Sequence, residues 1–253
     1  EPEAKSVLAA YGIPTTPCQI AEDPEDAGRM AARMLRSHES LVLKLLSREI
    51  THKSDVGGVV LGLKTAKEVE LRATEMLDRV RQSHPKAAID GFVLQPMVTR
   101  KRAHELIVGV HRDPQFGPTV LFGAGGTAVE VIEDTAIGLP PLDDVLAGDL
   151  IDQTRISALL KGYRDRPAAD RQVLLSVSRL LIDFPAITGG DINPLLADER
   201  GVIALDARIE IDPARIREAG PNPDLLIRPY PGMWERQVKL QNGRTVEVRP
   251  ILH

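Results

Sequence analysis

Apolar positions along the chain recur with helical spacing in some stretches and as short buried runs in others. Over residues 2–11, Val7, Leu8 and Tyr11 fall on one face, which predicts a helix stopped by Gly12 and Pro14. A second helix is predicted over 24–37, with Pro24 behind Asp23 suited to a first helical turn. Leu41-Val42-Leu43-Lys44-Leu45-Leu46 is a short apolar run and reads as a buried strand interrupted by one lysine. Strand 59–63 and an amphipathic helix over 67–83 follow. Phe92 to Val98 reads as a strand and then a hinge, because Pro96 cannot continue a central ladder. Strands are expected at 104–110 and 119–122 around a turn at 113–118, helices at 142–147, 152–160 and 168–183, and strands at 190–196 and 201–211.

This order is an α+β mixture with hairpin-like strand pairs, without the strict β-α-β rhythm of a doubly wound sheet. Two α+β lobes are expected in a first domain over 1–212. Breakers crowd Ala219-Gly220-Pro221-Asn222-Pro223 and Arg228-Pro229-Tyr230-Pro231-Gly232, so 213–235 reads as a linker. Beyond it, 236–240 and 245–248 flank Gln241-Asn242-Gly243-Arg244, a hairpin signal. A lone hairpin is marginal in water, so 236–253 is expected to pack on a neighbour or to open a further, truncated domain. The chain starts with Glu1 and stops at His253 without a helix cap or polar tail, and is expected to be cut from something longer.

At 253 residues, 43% of them hydrophobic, the chain can bury a substantial core. A formal charge of -4 gives no general attraction to nucleic acid or to an anionic membrane, so neither is expected as a partner and any polyanionic ligand needs a local cluster. The single cysteine, Cys18, excludes an internal disulfide and suits a reducing cytoplasm. No apolar run reaches the roughly 18 residues of a membrane helix.

Against that background Lys44 stands out, because a buried ammonium is costly unless it meets an anion. Just after it comes Thr51-His52-Lys53-Ser54-Asp55-Val56-Gly57-Gly58-Val59, between two strands. Adjacent Gly57 and Gly58 let the backbone approach a ligand and offer successive N–H groups to phosphate oxygens, with Lys53 and Lys44 adding charge. The spacing matches neither a Walker loop nor a dinucleotide fingerprint, and taken alone a glycine pair after a strand is more often an ordinary turn. A second cluster is Asp191-Ile192-Asn193-Pro194, with Asp206 on the next strand. Alternation places Asp191 and Asn193 on one face, and hairpin pairing brings Asp206 beside them, a set of hard oxygens sufficient for magnesium. Read singly, these residues also serve as turn formers. The glycine-rich Gly123-Ala124-Gly125-Gly126-Thr127-Ala128-Val129-Glu130 is a candidate flap over a reacting phosphate, a hold on a neighbouring domain, or a passive turn. Arg112 and Asp113 frame the same cleft or form a surface charge pair.

In this order the stretches resemble the ATP-grasp subunit of NDP-forming acyl-CoA synthetases, a group that includes ADP-forming acetyl-CoA synthetase and, more distantly, succinyl-CoA synthetase β. The likeness covers 1–212, from Glu3-Ala4-Lys5 and Tyr11-Gly12-Ile13-Pro14, through His52 to Val59 and Phe116-Gly117-Pro118, to Asp191-Ile192-Asn193-Pro194-Leu195 and Asp206-Ala207-Arg208. It implies an ATP-grasp fold whose two lobes clasp ATP or ADP with Mg2+. Lys44 then meets the phosphates, and His52, Lys53, Ser54, Gly57 and Gly58 form the nucleotide-facing loop. Gln95, Pro96, Met97 and Val98 lie at the adenine hinge, and Glu105 contacts the nucleotide. Asn193 and Asp206, with Asp191, form the metal site. His52 matches a histidine proposed to relay a phosphoryl group.

The family reaction makes acyl-CoA, ADP and phosphate from acid, CoA and ATP, using CoA-binding and phosphohistidine domains that these residues do not include. Ala186 and Gly189 stand where members commonly have Glu, and Asp165 where they have Gly, departures that bear on turnover more than on nucleotide binding. Leu240 to Ile251 resembles the first hairpin of a GNAT acetyltransferase. That order resembles bacterial protein lysine acetyltransferases fused to a synthetase-like half. Two roles follow: a phosphoryl-transfer module, or a nucleotide-sensing module that controls an attached acetyltransferase without chemistry.

Overall fold

The structure is a computed structural model and describes residues 1–50, 53–126, 134–161, 172–218, 221–229, 235–240 and 242–249. It has α1 (Pro2–Ala10), β1 (Gln19–Ala21), α2 (Pro24–Met34), β2 (Leu41–Leu46), β3 (Val59–Leu63), α3 (Ala66–Ser83), β4 (Gly91–Pro96), β5 (His104–Asp113), β6 (Gly117–Ala124) and β7 (Thr135–Gly138). There follow α4 (Asp144–Asp152), α5 (Ser157–Leu160), α6 (Gln172–Asp183), β8 (Ile187–Asp198), β9 (Gly201–Ala204), β10 (Ala207–Ile211), β11 (Arg236–Lys239) and β12 (Thr245–Val248).

The smaller sheet has the order β1-β4-β2-β3, antiparallel throughout. Its core joins Leu41, Leu43 and Leu45 of β2 and Phe92 and Leu94 of β4 to Ala27 and Ala31 of α2 and Val69, Ala73, Met76 and Val80 of α3. The residues on α2 and α3 recur at helical spacing and bury one stripe of each helix against the sheet. Asp23 and Thr65 fix where these helices start, each accepting a backbone N–H three residues on.

The larger sheet runs β10-β8-β5-β6-β7, with β9 paired to β8. Its core gathers Leu106, Val108, Val120, Phe122, Ile192 and Leu195 with Leu150 of α4 and Leu174, Val177 and Leu181 of α6. Ala4 and Leu8 of α1, and Ile13 behind it, belong to this second core although β1 soon joins the other sheet. The α+β expectation with two lobes is thus met, each lobe around its own core.

Several boundaries differ from expectation. Helix 142–147 begins later and runs to Asp152, because Asp143 accepts the Leu146 N–H and sets the first turn. β1 and β7 were not anticipated; both are short sheet-edge strands with little apolar pattern. The strand expected over 201–211 breaks at Leu205 and Asp206 into β9 and β10. Within 213–235, a 3-10 turn at Pro213–Arg215 precedes a docked stretch. There Asn222 is buried, donating its backbone N–H to the Ile182 carbonyl and its side-chain amide to the Leu181 carbonyl, and Leu225 is buried beside it. The start of helix 168–183, Thr51, His52 and Thr127 to Glu130 lie outside the described residues, as does Asp165.

Candidate functional site

Where the two lobes meet, the contact is polar. Lys44 projects from β2 with only 5% of its surface exposed. Its ammonium donates to Glu1 Oε1 at 2.7 Å and to the Leu205 carbonyl at 3.0 Å, and lies 3.0 Å from Asp206 Oδ2. Lys5, on the stripe of α1 that also carries Ala4 and Leu8, donates to the same Glu1 oxygen at 3.0 Å, to Thr16 Oγ1 at 2.9 Å and to Gln95 Oε1 at 2.6 Å. Lys53 reaches the other oxygen, Glu1 Oε2, at 2.8 Å. Three ammoniums, contributed by α1, β2 and the loop after β2, therefore converge on one carboxylate whose side chain is 2% exposed.

The electrostatics follow from this crowding. Burial alone pushes the Glu1 carboxyl up, but Lys44, Lys5 and Lys53 together hold it well below the usual carboxylate range. For Lys5, burial is the strongest influence and lowers its pKa, with Glu1 opposing and Lys44 adding to the fall. The cluster tolerates desolvation because every ammonium is hydrogen-bonded to the shared Glu1 carboxylate.

The loop after β2 is closed on itself. Gly57 N–H donates to the Ser54 carbonyl and Gly58 N–H to the Lys53 carbonyl, while the Gly58 carbonyl accepts from Leu45 N–H. The two glycine N–H groups are therefore bonded inside the loop in this structure. Gly57 has φ of 66° and the Arg79 guanidinium where a Cβ would stand, and a Cβ on Gly58 would meet the Lys53 carbonyl at 2.8 Å. The glycines make the turn that delivers Lys53 to Glu1.

Gln95, next to the end of β4, buries its side chain in the seam, accepting from Lys5 and Thr16 and donating to the Leu205 carbonyl. Pro96 still pairs with Leu41, and Met97 N–H donates to the Ser40 carbonyl before Val98 leaves the sheet. Glu105 is exposed on β5, and its backbone carbonyl accepts from Gly125 N–H. Gly126 N–H donates to Asn193 Oδ1 at 3.2 Å. The glycine-rich stretch after β6 thus lies against both Glu105 and Asn193, and backbone of β5 stands where a Cβ on Gly125 would go.

On β8, Ile192 pairs with Val108 and Leu195 with Leu106, so Asn193 and Pro194 together oppose Ile107 as a bulge. Ala207 pairs with Ile192, so Asp206, just before β10, falls near Asn193 of β8. Asp206 Oδ1 accepts from Ala207 N–H while Oδ2 faces Lys44. Asp191 is opposite Arg208, with 4.0 Å between carboxylate and guanidinium, and borders a small cavity with Leu8, Val177 and Leu180. Lys44, Lys53, Gln95 and Asp206 are therefore joined in one network, Asn193 adjoins it through β10, and Ser54 shapes the loop from behind. Arg112 and Asp113 do not frame this cleft: Arg112 pairs with Asp224, and Asp113 accepts the Gln115 and Phe116 N–H groups of the β5–β6 turn.

Glu1, Lys5 and Thr16 were not singled out from the sequence. The available signal was Lys5 itself, a charge inside the apolar stripe of α1 and four residues from Glu1.

The pattern of residues 1–211 matches the family described as the ATP-grasp domain. The beta subunit of ADP-forming acetate–CoA ligase I from Pyrococcus furiosus is 35% identical over 213 residues, which is 83% of this chain and 90% of that subunit. ADP-forming acetate–CoA ligase I from Archaeoglobus fulgidus is 37% identical over 211 residues, 82% of this chain, and there the match spans 30% of the relative's length. Among solved structures, dinucleotide-forming acetyl-coenzyme A synthetase 1 of Ca. Korarchaeum cryptofilum, in complex with coenzyme A, Ca-AMPCP and HgCl+, superposes with a TM-score of 0.76 at 34% identity, covering 83% of this chain and 91% of that one.

Proposed function

The chain belongs to the ATP-grasp domain family, and from that premise we propose that it binds ATP with magnesium in the seam between its two sheets and moves a phosphoryl group between ATP and a histidine or acyl phosphate during acyl-CoA formation. The observation that carries this reading is the convergence of Lys5, Lys44 and Lys53 on one buried anion beside Asp206. A transferring phosphoryl group spreads negative charge over its oxygens, so cations fixed beforehand stabilise that charge without reorganising. Lys44 is fixed in this way by the Leu205 carbonyl and Asp206, and Lys53 by the closed loop around Gly57 and Gly58.

In this reading His52, beside Lys53 in sequence, accepts the phosphoryl group, and Ser54 shapes its loop. Gln95 to Val98 border the adenine, and Glu105 meets the nucleotide near the Gly125-Gly126 turn. Asn193 and Asp206 hold the metal, with Asp191 two residues before Asn193 on β8. Among the described residues no three His, Cys, Asp or Glu side chains gather as a metal cage. So sparse a set of hard oxygens fits magnesium, which takes its remaining ligands from waters and phosphates. When bound, the ion would neutralise phosphate charge.

The acyl and CoA steps are assigned to CoA-binding and phosphohistidine domains outside these residues, in keeping with the 30% share of the longer relative. The setting proposed is cytoplasmic; among the described residues no helix is long and apolar enough to cross a membrane. For 236–253 the proposal is the opening hairpin of a GNAT acetyltransferase domain, supported by the β11–β12 pair, which sets exposed Val238 opposite exposed Val246 on one face.

Titrating ATP calorimetrically with magnesium and then incubating with γ-labelled ATP tests the reading. Binding is expected, followed by acid-labile label that His52→Ala removes. Binding without label overturns the phosphoryl step, and no binding overturns the nucleotide site as well.

A further inference from the structure

We infer that the Glu1 carboxylate is a resident stand-in for phosphate: it gathers Lys5, Lys44 and Lys53 and has to give up Lys44 and Lys53 when a polyphosphate binds. This rests on the reading of the seam as the nucleotide site. Glu1 is a poor candidate for a passive surface residue. Its side chain is 2% exposed, and its two oxygens are divided among three ammoniums at 2.7, 2.8 and 3.0 Å. Its carboxyl stays ionised despite that burial, because the three cations outweigh the desolvation.

The partners left behind make the exchange feasible. Without Glu1, Lys5 keeps Thr16 Oγ1 and Gln95 Oε1, and Lys44 keeps the Leu205 carbonyl and Asp206. A polyphosphate brings more charge and more acceptor oxygens than one carboxylate, so Lys44 and Lys53 gain on balance. The chemistry recognised is that of a polyphosphate chain, whether free or carried by a nucleoside.

The exchange also has a mechanical side. Glu1 and Lys5 sit at the start of α1, which packs through Ala4 and Leu8 into the core of the larger sheet. Lys44 belongs to β2 of the smaller sheet, and Lys53 follows it. The carboxylate is therefore a clasp between lobes, and releasing it couples ligand binding to the fit of one lobe on the other. A site that must first part with an internal ligand binds the external one more weakly, by the fraction of molecules in which it is free.

The test is calorimetric titration of inorganic tripolyphosphate, and separately of ATP with magnesium, into the 253-residue chain and its Glu1→Gln and Glu1→Asp variants, each checked for folding by circular dichroism. Glu1→Gln is expected to bind tripolyphosphate about tenfold more tightly than the parent. Glu1→Asp is expected to tighten it by a smaller factor, since the shorter arm keeps the charge but cannot span all three lysines. The second variant separates displacement from general electrostatics, which predicts no change when the charge is kept. If Glu1→Gln does not fold, Glu1→Asp alone decides. Parent binding with no tightening in the folded variants overturns the inference and leaves the nucleotide site standing. Binding by the variants alone supports it in its strongest form. No binding by any of the three overturns both.

Discussion

Lys44 lies on a strand whose other residues are Leu and Val, and Lys5 lies between Ala4 and Leu8 on a helix stripe that enters a core. An ammonium in such a place is costly to desolvate unless an anion meets it, and Glu1 meets both. The same logic gives Glu1 a definite pH signature. An acid whose folded-state pKa lies below its ordinary 4.5 adds stability that is fully present above that value and is lost as pH falls toward the folded-state value. Glu1→Gln is therefore expected to lower stability by on the order of 3 kcal/mol near neutrality, read from urea midpoints. The gap from the parent should narrow as pH falls below 4.5. A gap independent of pH would mean that the carboxylate is not held ionised by the lysines. Lys44 could be picked out in the sequence because one charge interrupts an apolar run. Glu1 and Lys5 could not be picked out so easily, because a Glu four residues before a Lys is also a favourable exposed pair on a helix surface. What distinguishes them is burial, which depends on how α1 packs and not on local spacing.

Among the elements, those defined by long apolar patterns were legible, and those defined by their neighbours were not. α2, α3, β2 and β3 follow from their own periodicity, whereas β1 and β7 exist because β4 and β6 offer them an edge. The break at Leu205 and Asp206 is of the second kind. Continuous strand was expected there, yet the interruption is what turns the Leu205 carbonyl and the Asp206 carboxylate toward Lys44. The loop after β2 was marked in the sequence by its lysine and glycines, and in the structure those glycines make its turn. Gly58→Ala tests that assignment, since the added Cβ would press on the Lys53 carbonyl at 2.8 Å and on Leu45 Cβ at 3.2 Å. Forcing atoms into packed space costs about 1–3 kcal/mol, so a fall in stability of that size is expected by thermal or urea denaturation. Nucleotide affinity should fall with it, because the loop that delivers Lys53 must open. Full affinity in a destabilised Gly58→Ala chain would show that Lys53 does not depend on the turn.

At the scale of the whole molecule, two apolar cores are separated by a seam in which Lys5, Lys44, Gln95, Thr16 and Glu1 satisfy one another, and among the described residues no buried side-chain polar atom lacks a partner. A ligand that bridges the seam holds both cores at once, so its binding free energy adds to the stability of the whole chain. At a hundredfold excess over its dissociation constant that addition is about 2.7 kcal/mol. ATP with magnesium is therefore expected to raise the midpoint of thermal unfolding, and chelating the metal should return most of that rise. In the proposed site the metal's share would pass through Asn193 and Asp206, which the β8 bulge and the start of β10 bring near each other. In the double variant Asn193→Ala, Asp206→Ala, the midpoint with ATP should no longer respond to magnesium, while Lys44 and Lys53 still confer a smaller rise with ATP alone. An undiminished magnesium response would move the metal to other oxygens of the cleft. Loss of the response to ATP alone would instead mean that Asp206 acts mainly by positioning Lys44.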